Sequence, residues 1–141
     1  MIDLKKLLAK ILSCPMVVET GTVIRTINNS SSINCTWKYR KWSDGTCDLW
    51  GTLDQQTYAM TAQSGYGYYT SFSLAFPTFA NSFTPLTVFA GRLGGSNGNS
   101  LMTVRASTIS TDNTYVNLWV YDWSNPSIPC TLCAYVHGTY T

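Results

Sequence analysis

Hydrophobic and polar residues alternate in several short segments of the chain, and this pattern predicts β-strands. In residues 69–76 and 116–121, apolar side chains recur at every second position over part of the segment. A period of two is typical of a strand with one buried face. Segments of similar composition predict strands at residues 68–76, 86–93, 101–110, 115–123 and 131–140, with a loop at residues 94–99. Repeated short strands indicate an all-β fold, and we predict an antiparallel β-sandwich.

The first residues have a different period, which predicts a short helix over residues 3–12. Asp3 is a suitable N-cap, Pro15 follows the end, and apolar residues spaced three or four apart share one face. Those apolar residues are Leu4, Leu7, Leu8 and Ile11. A helix of this length is marginal alone, so its apolar face requires either this domain or equivalent helices of neighbouring chains. The spacing permits a trimer without fixing the oligomeric state.

Residues 37–51 predict a β-hairpin. The pair Asp44-Gly45 suits a two-residue type I′ turn, because both residue types tolerate positive φ. This turn predicts that Lys41 lies opposite Asp48, as a complementary charge pair.

The same register predicts the faces of the hairpin. Trp37, Tyr39 and Trp50 share one face, with Tyr39 opposite Trp50. The other face carries Trp42 and Leu49 beside Arg40 and Lys38. Both faces are bulky, so the pattern leaves open which one joins the core.

A chain of 141 residues has room for one compact domain, but its composition changes along its length. We predict a helical region at residues 1–15 for oligomerisation or docking, a connector at residues 16–34, and the sandwich at residues 35–141. The connector holds a possible strand at residues 22–27. An Asn/Ser-rich run follows, whose side chains compete for backbone hydrogen bonds and favour a loop.

Few residues are charged, and this limits the classes of partner. Charged residues make up 11% of the chain and the formal net charge is +2, without a cation cluster suited to a phosphate backbone. No apolar segment is long enough for a membrane span, and Lys10 interrupts the stretch that could resemble an export signal. We therefore expect neither nucleic acid nor membrane insertion, and we expect the cysteines to remain thiols in a reducing cytoplasm.

The residues that could support catalysis or bind a metal are few. His137 is the single histidine, and no nucleophile elbow, phosphate loop or hydrolase motif surrounds it. Asp54, Asp112 and Asp122 could supply a glycosidase pair, but so few acidic residues favour the simpler explanation that they are solvated in turns or loops. Cys130 and Cys133 have half of a zinc-site spacing, with Cys35 and Cys47 as possible further ligands, but extended residues three apart point to opposite faces. We predict no enzyme activity, no metal and no cofactor.

The hairpin sequence reads W-x-Y-R-K-W-S-D-G-x-x-x-x-W-G from residue 37 to residue 51. It resembles a motif of tail-fibre and minor structural proteins of phages and prophages of Gram-positive bacteria. Weaker similarity extends over residues 17–22, 76–79, 85–91 and 134–140. We assign structural roles to the hairpin residues Trp37, Tyr39, Arg40, Lys41, Trp42, Asp44, Gly45, Asp48, Trp50 and Gly51.

The resemblance implies an antiparallel β-sandwich similar to H-type lectin domains, which forms a homotrimer at a fibre or baseplate tip. It implies a virion protein, assembled in the bacterial cytoplasm with other tail or capsid proteins, that contacts host-surface glycans. As ligand-binding candidates we select aromatic residues near the long loops, namely Tyr66, Tyr68 and Trp123. The alternative is a purely structural virion component, such as a capsid decoration or a fibre connector.

Overall fold

The computed structural model describes residues 3–5, 10–11, 13–28, 33–54, 57–63, 65, 67–79, 83–93, 103–124 and 126–141. Its elements are all strands, and all of their pairings are antiparallel. Within these ranges, no helix has the length and hydropathy needed to cross a membrane. The predicted all-β class is therefore confirmed.

In the described part of the chain, eleven strands form two large sheets and one small sheet. The strands are β1 (Val17–Thr26), β2 (Asn34–Trp42), β3 (Thr46–Leu53), β4 (Thr57–Ala59), β5 (Thr61–Gln63), β6 (Gly67–Ala75), β7 (Phe83–Leu93), β8 (Thr103–Ile109), β9 (Tyr115–Asp122), β10 (Ser127–Pro129) and β11 (Thr131–Tyr140). The five-stranded sheet has the order β1-β2-β3-β11-β7, and the four-stranded sheet has the order β5-β6-β9-β8. Strands β10 and β4 form the two-stranded sheet.

The inward faces of the two large sheets form one hydrophobic core, as in a β-sandwich. Leu49 and Val136 contribute from the five-stranded sheet, and Leu74 and Leu118 from the four-stranded sheet, all with 0% exposure. Alternate residues of β9 and β11 are buried, because successive side chains of a strand point to opposite faces. The alternation that predicted β9 therefore marks the core-facing side of that strand.

The strands predicted between residues 68 and 140 are confirmed, with end shifts of a few residues. The N-terminal segment differs from the prediction. The possible strand predicted at residues 22–27 of the connector is part of a longer strand, β1, which extends from Val17 to Thr26 and pairs with β2 along its length. Much of β1 is exposed, so its sequence lacks the alternating apolar signal of a half-buried strand.

No N-terminal helix is among the elements that the structure describes, although Leu4, Lys5, Lys10 and Ile11 of the predicted helix over residues 3–12 have helical conformation. Leu7 and Leu8 lie outside the described residues. Leu4 is 75% exposed and Ile11 is 54% exposed, so neither packs on the domain core.

The predicted hairpin is present, but its predicted register is wrong by one residue. Lys41 lies opposite Cys47, and Arg40 lies opposite Asp48. The reason is the turn: Gly45 has φ of 83° and its N–H donates to the Trp42 carbonyl at 3.1 Å. Since Asp44 does not have positive φ, the loop has the form of a type I turn followed by a left-handed glycine, not of a type I′ turn.

The one-residue shift places the side chains of β3 on the opposite faces of the hairpin from those predicted. Leu49 has 0% exposure and joins Trp37 on the core side, whereas Trp50 is 38% exposed on the outer side. The prediction that Trp50 shares a face with Trp37 and Tyr39 is therefore wrong. A register shift of one residue always moves a strand's side chains to the opposite face, because their period is two.

Candidate ligand-binding face

Strands β2 and β3 place a group of polar and aromatic side chains on the outer side of the five-stranded sheet. Lys38 and Arg40 are exposed on β2, where they alternate with the core-facing Trp37 and the partly buried Tyr39. Trp50 is exposed on β3, opposite Lys38. The alternation of β2 therefore directs two cations outward beside an indole ring.

Arg40 lies between two indole rings. Its guanidinium carbon is 5.5 Å from the centroid of the Trp42 ring and 5.6 Å from that of the Trp50 ring. Distances below about 6 Å are those of cation–π attraction. These contacts restrain the position of the guanidinium on an open surface.

The carboxylate of Asp48 accepts hydrogen bonds from three side chains around Arg40. Trp42 Nε1 and the Tyr135 hydroxyl each donate at 2.7 Å, and His137 Nδ1 lies 2.9 Å from Oδ1. Burial raises the pKa of Asp48, but hydrogen bonds from His137, Tyr135 and Trp42 outweigh it and hold that pKa below its ordinary value. The bond to Asp48 and burial raise the pKa of Tyr135 to about 12. This network fixes the Trp42 ring that contacts Arg40.

The aromatic surface continues across the sheet from β3 to β7. The Trp50 and Tyr135 ring centroids are 5.8 Å apart, and those of Tyr135 and Phe89 are 6.4 Å apart with planes inclined by 23°. Phe89 is 63% exposed. We call Trp42, Trp50, Tyr135 and Phe89 the aromatic stripe. It provides a run of ring surfaces on the outside of the sheet.

A groove of about 410 Å³ lies beside the aromatic stripe, between β1 and β3. It is lined by Thr20, Gly21, Thr22, Lys38, Tyr39, Arg40 and Trp50, and we call it the β1–β3 groove. Its volume is within the range of about 300–1,000 Å³ that is common for ligand sites. Two hydroxyls, two cations and an indole ring are the groups that it offers to a ligand.

A second set of rings lies on the four-stranded sheet. The Trp119 ring is within 16° of parallel to Tyr69 and within 15° of parallel to Tyr121. Arg105 lies over the Tyr121 ring at 5.4 Å and donates to its hydroxyl at 3.3 Å. These three rings are only partly exposed, because they pack against one another.

Another cavity, of about 290 Å³, lies at one end of the domain near Arg25, Phe79 and Asp112. Its walls include Phe76 and Phe83, whose side chains belong to the core. The cavity is therefore an extension of core packing with a polar rim.

Two of the loop aromatics selected from the sequence, Tyr68 and Trp123, are not among the residues that line the β1–β3 groove. Tyr66 is outside the described residues. Tyr68 is partly buried and packs against the hydrophobic core, whereas Trp123 is 65% exposed. Tyr68 lies opposite Asp122, the chain neighbour of Trp123, but neither Tyr68 nor Trp123 lines the groove. The groove instead groups hairpin residues to which the sequence assigned only structural roles. The correct turn geometry at Gly45 was the signal that would have placed Arg40 and Trp50 on one face.

The cysteines and His137 have structural surroundings. Cys35 and Cys47 are buried thiols, and burial raises the pKa of Cys35 to about 12 and that of Cys47 to about 11. In the part of the chain that the structure describes, no three His, Cys, Asp or Glu side chains are grouped as metal ligands. His137 contacts Asp48, within the network described above.

Comparison with known proteins gives no relative from which a function could be transferred. The chain matches no protein-family model, and no curated protein or solved structure is significantly similar to it.

Proposed function

We propose that this chain is a receptor-binding module of a phage tail fibre or baseplate, and that it contacts host-surface glycans through the β1–β3 groove. The observation that carries the proposal is the exposed Trp50 ring beside Arg40 and Lys38, in a groove of about 410 Å³. Aromatic rings with a few polar groups around them suit sugars, which present apolar C–H faces and hydroxyl edges.

Different side chains of the groove would make different kinds of contact with a sugar. Trp50 offers a ring face for stacking on a pyranose, and the exposed Thr20 and Thr22 hydroxyls can donate to or accept from sugar hydroxyls. Arg40 and Lys38 add donors without an acceptor of their own. Because these side chains come from β1, β2 and β3 of one sheet, the site is built on regular strands, which supports a stable geometry.

The resemblance of the hairpin to phage modules supports placement in a virion. It also motivates the finer proposal of an H-type lectin-like homotrimer. Large apolar side chains on the edge strand β7 support chain-to-chain contact, since Leu86, Phe89 and Leu93 are 57–63% exposed. Light scattering of the purified chain tests this: a mass of three chains is expected, and a stable monomer contradicts the trimer.

The glycan proposal is tested by binding of the purified chain to an array of bacterial surface polysaccharides. We expect binding to at least one polysaccharide, and we expect Trp50→Ala to weaken it at least tenfold. Trp123→Ala is the matched control, because Trp123 is an exposed indole distant in sequence from the groove residues. If Trp123→Ala abolishes binding and Trp50→Ala does not, the loop aromatic is the site and the groove assignment is wrong.

A structural virion component is the second candidate. The exposed apolar residues of β7, together with Val17 and Val18 at the start of the other edge strand, favour a surface that contacts protein. The two candidates differ in a phage-adsorption assay with purified chain as competitor. A receptor-binding module reduces adsorption of its parent phage at saturating concentration, whereas a structural component leaves adsorption unchanged.

A further inference from the structure

The two cations of the β1–β3 groove have no ion-pair partner among the described residues. The ion pairs there join Lys41 to Glu19 and His137 to Asp48. Lys38 and Arg40 are both exposed, and they lie two positions apart on β2, about 7 Å along the strand. The groove therefore presents two neighbouring positive charges, neither of which forms an ion pair with a described carboxylate.

Asp48 is the carboxylate that the strand pairing places opposite Arg40, so it is the first candidate for an ion-pair partner. It lies directly opposite Arg40, yet its oxygens accept from Trp42, Tyr135 and His137. No described residue accepts a hydrogen bond from the Arg40 guanidinium, which has the two indoles as its neighbours. The Asp48 network thus leaves the guanidinium N–H donors available to an incoming acceptor.

A guanidinium has a planar fork of donors that matches the two oxygens of a carboxylate or phosphate. An ammonium two positions away on the same face can contact the same anion or the next one along a polymer. None of the residues that line the groove is Asp or Glu, so no lining carboxylate would repel such an anion.

We infer that the β1–β3 groove selects an acidic glycan, with a carboxylate or phosphate group held by Arg40 and Lys38 beside a sugar ring on Trp50. This inference rests on the proposed glycan-binding function and names the chemical class of its ligand. The stacked ring supplies contact area, and the charges distinguish acidic from neutral polymers.

The test measures the affinity of the purified chain for three polymers by calorimetry: polygalacturonate, poly(glycerol phosphate) and neutral dextran. We expect one of the acidic polymers to bind at least tenfold more tightly than dextran, and which one it is separates carboxylate from phosphate. Raising the salt from 50 to 500 mM should weaken that binding several-fold, since exposed charges are screened.

The matched variants are Arg40→Gln and Arg105→Gln, which remove the same charge from opposite sheets. We expect Arg40→Gln to weaken binding of the acidic polymer about tenfold or more, and Arg105→Gln to change it less than twofold. Equal losses in both variants would show a non-specific effect of net charge and overturn the inference.

The outcomes also separate this inference from the proposal on which it rests. Binding of a neutral glycan that depends on Trp50 but not on Arg40 overturns the acidic specificity and leaves the glycan-binding function standing. Failure to bind any polymer, on the array or in calorimetry, counts against both.

Discussion

Trp37 lies directly opposite Gly51 across the β2–β3 pair, and its indole occupies the space that a side chain at residue 51 would need. A Cβ at this position would lie 2.7 Å from Cζ3 of Trp37. The indole N–H donates to the Ala75 carbonyl on β6 at 2.8 Å, so the buried ring also links the two large sheets. The tryptophan and the final glycine of the hairpin motif are therefore one packing unit.

We expect Gly51→Ala to destabilise the protein by about 1–3 kcal/mol, because the added methyl displaces a fully buried ring. Denaturant unfolding measures the change. Gly91→Ala is the control, since a Cβ at Gly91 meets its nearest neighbour at 3.8 Å, an ordinary contact. That variant should stay within about 0.5 kcal/mol of the parent protein. Equal stability of the two variants would contradict the packing of Trp37 on Gly51.

The Asp48 network predicts that stability depends on pH through this carboxylate. Because its folded-state pKa lies below its ordinary value of 3.8, the ionised form stabilises the fold. The contribution is fully present well above pH 3.8 and is lost as the pH falls through the lower folded-state pKa. We expect the loss below about pH 5, as for any carboxylate of lowered pKa.

Asp48→Asn isolates this contribution. The amide oxygen can replace only part of the hydrogen-bond acceptance, so we expect a loss of about 1–3 kcal/mol at pH 7. The difference in unfolding free energy between parent and variant should shrink as the pH falls from 5 to 2. Other carboxylates are present in both proteins and cancel in this difference. A difference that is constant with pH would mean that Asp48 is not stabilised in its ionised form.

Strands β6, β7, β8, β9 and β11 were predictable because they are half-buried, and burial of one face favours a period of two in the sequence. Strand β1 was predicted only in its second half, at residues 22–27, because it is an exposed edge strand and its first residues show no alternation of buried and exposed positions. The sequence also could not predict which strands pair with β11 in the sheet. Strand β11 lies between β3 and β7, which are distant in sequence, and no local signal specifies such pairing.

The sequence analysis did not find the candidate site because it predicted the wrong turn type at one position. Asp44-Gly45 permits both a type I′ turn and a type I turn with a left-handed glycine, and the sequence does not separate them. In the structure, the Asp44 carboxylate accepts hydrogen bonds from the Thr46 backbone N–H and hydroxyl. These bonds stabilise the type I turn with a left-handed glycine. The observed turn therefore places Trp50 on the face of Arg40 and not, as predicted, on the face of Trp37, and this arrangement forms the outer aromatic surface.

Lys41 attaches the edge strand β1 to the hairpin, in place of the predicted pairing with Asp48. Its Nζ lies 2.8 Å from Glu19 on β1 and 4.7 Å from the centroid of the Phe79 ring. The hydrogen bond from Lys41, with a second one from Tyr39, lowers the pKa of Glu19. Lys41 thus makes both an ion pair and a cation–π contact.

We expect Lys41→Gln to destabilise the protein by about 1–2 kcal/mol, through loss of the cation–π contacts. Lys38→Gln is the control, since it removes the same charge from the same strand at an exposed position, and should cost less than about 0.5 kcal/mol. Thermal unfolding compares the two. If Lys38→Gln is as costly as Lys41→Gln, then general electrostatics and not the contacts of Lys41 explain the effect.

The burial of the cysteines predicts an order of thiol reactivity. Cys14 is exposed, whereas Cys35 and Cys47 are buried in the core with pKa values raised to about 12 and about 11. Burial also raises the pKa of Cys130 and Cys133. Because the thiolate is the reactive form, we expect a thiol reagent at pH 8 to modify Cys14 first in the folded protein.

Titration with a chromogenic disulfide reagent, followed by mass spectrometry, measures this order. We expect one fast-reacting thiol, and we expect Cys14→Ser to remove the fast phase. Cys35 and Cys47 should react only at the rate of unfolding, so a denaturant should expose them together as the core opens. Fast modification of either residue in the native protein would contradict a core built from the inward faces of β2 and β3, since both thiols lie on those faces.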